Sequence, residues 1–177
     1  MRVTRSLPIV IRPAPGRPSQ GLMVLAHGVK RVALGRSGIV ALKREGDGGT
    51  PLGRFPIRLV LYRADRILRP RSLLPTRAIS GRDGWCEDSA DRNYNRLVKL
   101  TPGSNADRLQ RIDHLYDLVL VLGYNDRPLV KGKGSAIFVH LARPGYRPTA
   151  GCIGLANRDL QALLAQIRSA SSIVVTR

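Results

Sequence analysis

Short apolar runs, each ended by glycine, proline or a charged turn, recur along most of the chain. Such runs are typical of β-strands, which are short and bounded by turn-forming residues. A long polar stretch, from about 63 to 113, separates an early group of runs from a late group. We therefore predict a meander of strands at 7–12, 21–26, 31–35, 39–44, 55–62, 115–124, 135–142, 152–156 and 172–176.

One segment near the end of the chain has a helical period instead. Leu160, Leu163, Leu164 and Ile167 recur at the i, i+3, i+4, i+7 spacing that places side chains on one face of a helix. Asn157 precedes them and is of a residue type that caps helices. Strands and helices do not alternate as a parallel sheet requires. The fold class is therefore mainly β, with one or two peripheral helices.

The polar stretch contains a segment, 81–113, that is rich in turn-forming residues. We expect it to be a surface excursion with short helical pieces, because long polar loops run over the surface and often carry function. It either walls a substrate cleft or is an exposed insertion without a chemical role. Trp85, Tyr94 and Asn95 can line such a cleft, or they can anchor the segment onto the sheet.

The length and composition indicate one globular domain spanning residues 1–177, since an apolar fraction of 43% is enough for one core. Thirty Lys and Arg residues against 12 acids give a net charge of +18, which favours an anionic partner. The basic residues are scattered and aromatic residues make up only 5% of the chain, so nucleic acid is an unlikely partner, and an anionic envelope polymer fits the charge equally well. No apolar window is long enough for a transmembrane helix, and no export signal is visible at the start.

Two cysteines, Cys86 and Cys152, are too few for a disulfide framework or a closed zinc site. They either pair with each other, or at least one of them is chemically active. Cys86 and Arg92 have the separation found in cysteine phosphatases, but acidic neighbours such as Glu87 would repel a phosphate. Cys86 is therefore interpreted as a structural or cleft-lining thiol. No metal site is expected.

The segment GSAIFVHLARPGYRPTAGCIGLA, 134–156, carries the strongest chemical signal. If its two strands pair antiparallel about Tyr146, His140 and Cys152 face each other on one side of the sheet. A thiol beside an imidazole can lose its proton and become a nucleophile. The amide N–H groups of 151–153 can then stabilise an oxyanion. The alternative is structural, with a small buried cysteine and an ordinary core histidine.

These residues resemble the L,D-transpeptidase catalytic domain of the YkuD type. His140 matches the upstream histidine of the family signature, Thr149 its Ser or Thr, Gly151 its glycine and Cys152 its nucleophile. A second element, KREGDGGTPLGRFPI at 43–57, resembles the Thr-Pro stretch of the same family. The sequence departs from the signature at two positions. Ala150 stands in place of the second histidine, and Gly154 stands in place of the arginine. Residues 85–96 are candidates to supply the contacts that these two side chains would have made.

The resemblance implies a β-sandwich-like fold and a peptidoglycan L,D-transpeptidase without a cofactor, at the periplasm or cell envelope. The Cys152 thiolate would attack a stem-peptide amide, and an amine of another stem would resolve the thioester, with His140 as base and acid. Thr149, Gly151, Lys43 and Tyr94 are the substrate-binding candidates, although a solvated turn also explains Lys43. Alternatives are an L,D-carboxypeptidase or other Cys/His amide hydrolase, and a basic binding module without catalysis.

Overall fold

The structure, a computed structural model, describes residues 9–177. Strands make up 39% of the chain and helical residues 8%, which confirms a mainly β fold with one α-helix in the part described. The elements in chain order are β1 (Ile9–Ala14), β2 (Arg17–Leu25), β3 (Gly28–Ala33), β4 (Ile39–Val40), β5 (Thr50–Pro51), β6 (Gly53–Tyr62), β7 (Thr76–Ala78), β8 (Asp83–Cys86), β9 (Leu97–Lys99), β10 (Ala106–Arg108), β11 (Leu118–Leu122), β12 (Phe138–Leu141), a 3₁₀ turn (Pro144–Tyr146), β13 (Ile153–Leu155), α1 (Asn157–Gln166) and β14 (Ser172–Val175).

Nine strands form one sheet in the order β11-β12-β13-β3-β2-β1-β14-β6-β7. The sheet closes on itself because β6 is long enough to pair twice, with β14 through its first half and with β11 through its second half. Three of the pairs, β1 with β14, β6 with β7 and β12 with β13, are parallel. The simple meander expected from the sequence is therefore wrong in these places, where strands joined by longer connections pair side by side.

Alternation along the strands gives the closed sheet two apolar faces. In β6, Val60 and Tyr62 point to an inner core while Leu61 points to an outer one. In β12, Val139 belongs to the inner core and Phe138 to the outer core. The helix α1 covers the inner core, and the excursion at 81–113 covers the outer core, so each face of the sheet is shielded from solvent by a different segment.

The leucine stripe of α1 is confirmed, because Leu160, Leu163 and Leu164 are all buried in the inner core. The predicted cap at Asn157 is wrong. The Ala156 carbonyl already accepts hydrogen bonds from Asp159 and Leu160, so Ala156 is the capping position and Asn157 is the first helical residue. No helix in the described residues is long and apolar enough to cross a membrane.

The excursion at 81–113 differs from its prediction in two ways. It holds no helical piece; instead β8, β9 and β10 form a small three-stranded sheet. It also buries Trp85, Tyr94 and Leu109 against the large sheet, so it is not a purely exposed segment. Its few apolar residues are spaced too widely to show a period in sequence, yet Trp85, Leu97 and Leu109 reach the same outer core.

The strand predicted at 39–44 ends at Val40. Asp47 closes a turn there, because its carboxylate accepts hydrogen bonds from the backbone N–H groups of Arg44 and Gly49. The other predicted strands are present with shifted ends, and residues 7 and 8 of the first lie outside the described part of the chain.

Candidate active site

A cavity of about 320 Å³ lies beside the outer core, where β12 ends and the loop before β13 begins. It brings together both candidate catalytic residues, His140 and Cys152, and three of the four candidate binding residues, Lys43, Thr149 and Gly151. Segments far apart in sequence supply its walls. Its other lining residues are Arg36, Glu45, Gly46, Glu87, Asp107, Arg111, Leu115, Tyr116, Ser135, Ala136, Ile137, Arg143, Arg147 and Ala150.

The hairpin proposed to join His140 and Cys152 is wrong. β12 and β13 are parallel, with His140 opposite Gly154 and Val139 opposite Ile153. The connection between them crosses over the sheet, and β13 is inserted between β12 and β3, so the chain does not turn back at Tyr146. His140 and Cys152 still open into the same cavity.

The two sequence elements of the resemblance meet beside Cys152. The buried Thr50 hydroxyl accepts a hydrogen bond from Gly35 N at 2.8 Å and donates one to the Gly151 carbonyl at 2.9 Å. Gly151 has a φ of +140°, and a Cβ atom there would lie 2.8 Å from the Gly49 carbonyl oxygen. Glycine is therefore required at 151, because the loop before Cys152 lies directly against the Thr-Pro element.

Thr149 shapes the turn that presents Cys152. Its hydroxyl accepts from Gly151 N at 3.1 Å and donates to the Cys152 carbonyl at 2.6 Å. Its backbone is bonded to Leu34 and Arg36, which fastens the loop to the edge of β3. Since the Gly151 N–H is already engaged, the prediction that this group belongs to an oxyanion hole does not hold in this arrangement.

The Cys152 thiol is half-buried and hydrogen-bonded at rest. Its S–H donates to the Ala136 carbonyl at 3.1 Å, and its sulfur accepts from Phe138 N–H at 3.4 Å. The pKa of Cys152 is raised to about 12, first by burial and also by the carboxylates of Glu87 and Asp107, while the Phe138 N–H and Lys43 act in the opposite direction. The resting thiol is therefore protonated at neutral pH.

His140 is 5% exposed, and its Nδ1 lies 2.8 Å from the Leu141 carbonyl oxygen. A carbonyl can only accept, so Nδ1 carries the proton and Nε2 is left as the basic atom. Burial lowers the pKa of His140 to about 4, with help from Arg111 and Arg143. The imidazole is therefore neutral at pH 7, and the Leu141 backbone carbonyl orients its ring.

The cavity walls carry charges of both signs. Glu45, Glu87 and Asp107 contribute carboxylates, whereas Arg143 and Arg147 line the cavity without an ion pair to any described residue. The pKa of Glu87 is raised to about 7, by loss of water first and then by the neighbouring Asp107 and Glu45 carboxylates. Like charges gathered in this way favour a bound cation on that wall.

Lys43 lines the same cavity. Its side chain is 5% exposed and its Nζ lies 2.5 Å from Asp47 Oδ1. It also donates to the Arg44 carbonyl. The solvated-turn interpretation of Lys43 is wrong, because this ammonium is buried at the cavity and lowers the pKa of the Cys152 thiol.

Tyr94 does not reach the cavity, so its predicted contact with substrate is wrong. Its side chain is fully buried, and its hydroxyl donates to the Glu45 carboxylate and accepts from Gly134 N at 3.1 Å. An apolar ring with one polar tip commonly anchors a segment in this manner. The alternative that this residue anchors the excursion is the one the structure supports, and it fixes Glu45 in the cavity wall.

Asn95 holds the backbone that contacts the Cys152 thiol. Its side-chain oxygen accepts from Trp85 Nε1 at 3.0 Å and from Ala136 N at 3.1 Å, and its amide group donates to two further carbonyls. Asn95 and Ala136 both have positive φ values, of 56° and 50°. The excursion therefore holds, through Asn95, the carbonyl that accepts the Cys152 proton at rest.

Cys86 is buried and both cysteines are free, which excludes the alternative of a disulfide between them. Cys86 does not line the cavity, so the structural interpretation of this thiol holds.

Sequence reasoning missed much of the cavity wall. Asp107 accepts a hydrogen bond from the Tyr116 hydroxyl at 3.1 Å, and the Tyr116 ring meets the His140 ring edge-on at 5.4 Å. The Arg111 guanidinium lies over the Tyr116 ring, 5.0 Å from the ring centre. No spacing in the chain marks these residues as a group. The one sequence feature that bears on them is the scarcity of acidic residues. The chain has only 12, and several of these line the cavity wall.

Comparison with known families accounts for this combination of fold and site. The sequence profile of the L,D-transpeptidase catalytic domain, YkuD, matches residues 17–175. Searches of curated proteins and of solved structures gave no significant match. Because the matched region is nearly the whole chain, the protein belongs to the L,D-transpeptidase catalytic domain family.

Proposed function

We propose that the protein is a peptidoglycan L,D-transpeptidase acting at the cell envelope, with Cys152 as nucleophile and His140 as its base. The observation that carries this proposal is one cavity, in a chain of this family, that holds a thiol and a neutral imidazole with a free Nε2. The substrates are peptidoglycan stem peptides, and the positive net charge suits an anionic envelope.

Acylation begins from a neutral pair. As Sγ of Cys152 attacks the carbonyl carbon of the stem-peptide amide, its proton passes to Nε2 of His140. The thiol leaves the Ala136 carbonyl to do this, since its S–H points there at rest. The tetrahedral intermediate then collapses, the C–N bond breaks, and the imidazolium gives its proton to the leaving amine. The product is a thioester on Cys152.

The acyl-enzyme is resolved by an amine. The acceptor ammonium first releases one proton to water, and the neutral amine then attacks the thioester carbon and passes a second proton to Nε2 of His140. As the C–S bond breaks, the imidazolium returns that proton to Sγ and the thiol is regenerated. Glu87 and Asp107 form the wall suited to the incoming ammonium, whereas Arg143 and Arg147 suit the donor carboxylates. This separation of charge favours an amine over water as acceptor and so favours transfer over the carboxypeptidase alternative.

The departure at Gly154 fits this assignment of the arginines. A Cβ atom there would lie 3.1 Å from Ala33 Cβ and 3.2 Å from Ala142 Cα, so the position is packed from both sides. An arginine in its place would displace its neighbours. Arg143 and Arg147, on the connection between β12 and β13, provide cationic groups at the cavity instead.

Intact-protein mass spectrometry after incubation with a carbapenem or a tetrapeptide stem donor tests the proposal. We expect one covalent adduct on wild type and on Cys86→Ala, and none on Cys152→Ala. Absence of an adduct on folded, reduced wild type would contradict the nucleophile and favour a binding module without catalysis. Product analysis with and without an added amine separates the transferase from a hydrolase, which would release free carboxylate in both cases.

A further inference from the structure

The loop between β6 and β7, residues 66–74, presents two leucines to solvent. Leu68 is 94% exposed and Leu73 is 70% exposed. The residues beside them point the other way, since Leu74 is buried in the inner core and Ile67 packs against that core. Two strongly exposed leucines are thus held five residues apart on one anchored loop.

The base of this loop is fixed by arginines that are fully engaged. Arg63 is paired with Asp65 and donates to the Arg111 carbonyl at 2.6 Å. Arg66 is paired with Asp117 at 2.8 Å and donates to the Ile112 carbonyl. These contacts hold the loop in one defined conformation, and the two leucines are exposed in that conformation.

The arginines nearer the tip are free to bind something else. Arg69 and Arg71 make no ion pair with any described residue, and both line a groove of about 660 Å³ together with Arg168. In the described part of the chain, the Arg168 guanidinium donates only to the backbone carbonyls of Ala165 and Ile167. The floor of the groove is apolar, from Leu164 and Ile167, and no carboxylate lines it. The groove thus combines three cations with exposed apolar side chains.

We propose that the loop 66–74 and the groove beside it dock the protein onto an anionic phospholipid surface. Leu68 and Leu73 would enter the interfacial region, while Arg69, Arg71 and Arg168 would meet lipid phosphates. The leucines decide between a lipid surface and a hydrophilic anionic polymer, because only a lipid surface offers them an apolar environment. The net charge of +18 adds a diffuse attraction toward the same surface.

The proposed docking surface is built from residues other than those of the Cys152 cavity. The groove and the Cys152 cavity share no lining residue. The loop is anchored in the inner core, whereas Cys152 packs against the outer core. The surface is therefore independent of the proposed transpeptidase chemistry, and its test does not depend on turnover.

Co-sedimentation with vesicles tests the proposal. The probes are phosphatidylglycerol-rich vesicles and pure phosphatidylcholine vesicles at moderate salt. We expect wild type to bind the anionic vesicles. Leu68→Asn/Leu73→Asn should weaken binding by about tenfold or more. Arg69→Gln/Arg71→Gln should weaken it by roughly 30-fold, at about fivefold for each arginine, and should reduce its salt dependence.

Matched variants elsewhere on the surface provide the controls. Leu42 is 83% exposed, so Leu42→Asn removes a comparable exposed leucine away from the groove. Arg82→Gln/Arg92→Gln removes two charges that do not line the groove. Both controls should bind vesicles nearly as wild type does, and all variants should keep the wild-type melting temperature. An equal loss of vesicle binding in the controls would show that net charge alone causes the binding, and this would overturn the proposal.

Two further outcomes would also overturn it. Undiminished binding of the leucine variant would show that the exposed leucines do not contact lipid. Complete competition by a soluble polyphosphate, together with tight binding of that polymer by the leucine variant, would identify an anionic polymer as the partner instead.

Discussion

The two faces of the closed sheet are built by different means. The inner core is filled by aliphatic and aromatic side chains from nearly every strand, and α1 closes it with leucines alone. The outer core is smaller, and its cover is held by polar contacts, such as those of Asn95 with Trp85 and Ala136. Apolar burial does not depend on the direction of a contact, whereas a hydrogen bond requires a defined direction. The outer face is therefore the one that can place a thiol, a carbonyl and an imidazole in a set geometry.

The strongest test of this difference is a change on the outer face that alters chemistry without altering the core. In His140→Asn the base is lost, and the acylation rate at pH 7 should fall by about 10²- to 10⁴-fold. Asparagine keeps a side-chain donor for the Leu141 carbonyl, so the fold should be retained. Stopped-flow acylation with a donor that does not titrate between pH 5 and 9 measures the effect.

The pH profiles of the two proteins should also differ in shape. In wild type, the reactive state has a neutral His140, with a pKa lowered to about 4, and a protonated Cys152, with a pKa raised to about 12. The rate should therefore be flat from pH 5 to 9 and fall tenfold per unit below the histidine pKa. In His140→Asn only free thiolate reacts, so the rate should rise tenfold per pH unit. A wild-type rate that rises in the same way would remove His140 as the base.

On the inner face, the expected effect is on stability. Leu160 is fully buried in the inner core, and Leu160→Ala should lower the free energy of unfolding by about 2 to 5 kcal/mol, through lost burial and a cavity. The acylation rate of the protein that remains folded should stay within about twofold of wild type, because α1 does not line the cavity. Urea unfolding and acylation of the same samples measure both quantities. A large loss of rate without loss of stability would mean that the two faces are coupled.

The same contrast explains which features were predictable from sequence. Strand positions and the stripe of α1 follow from local apolar periodicity, and Cys152 and His140 follow from a compact motif. The parallel pairing of β12 and β13 does not, because it depends on where a long connection crosses. The cavity wall was hidden for a related reason. Tyr94 and Glu45 are 49 residues apart and Asn95 and Ala136 are 41 apart, so no local pattern shows that they meet.

The smallest of these effects is expected at the contact that joins the two motifs. Thr50→Val keeps the shape of the side chain but removes the hydroxyl that bridges Gly35 N and the Gly151 carbonyl. Both buried groups then lack their partner, which should cost about 1 to 3 kcal/mol of unfolding free energy. The acylation rate should fall as well, because Gly151 precedes the nucleophile directly.

Thr50→Ser is the matched control, since it keeps the hydroxyl and removes only a methyl group. It should restore most of the stability and most of the acylation rate that Thr50→Val loses. If Thr50→Ser were as impaired as Thr50→Val, packing of the methyl group would be the main contribution of Thr50, and the hydrogen-bonded bridge would not be what positions Cys152. If both variants kept full stability but only Thr50→Val lost rate, the bridge would serve the nucleophile loop alone. In that case the outer face would keep its geometry through contacts that contribute little to global stability, which would sharpen the contrast with the inner core.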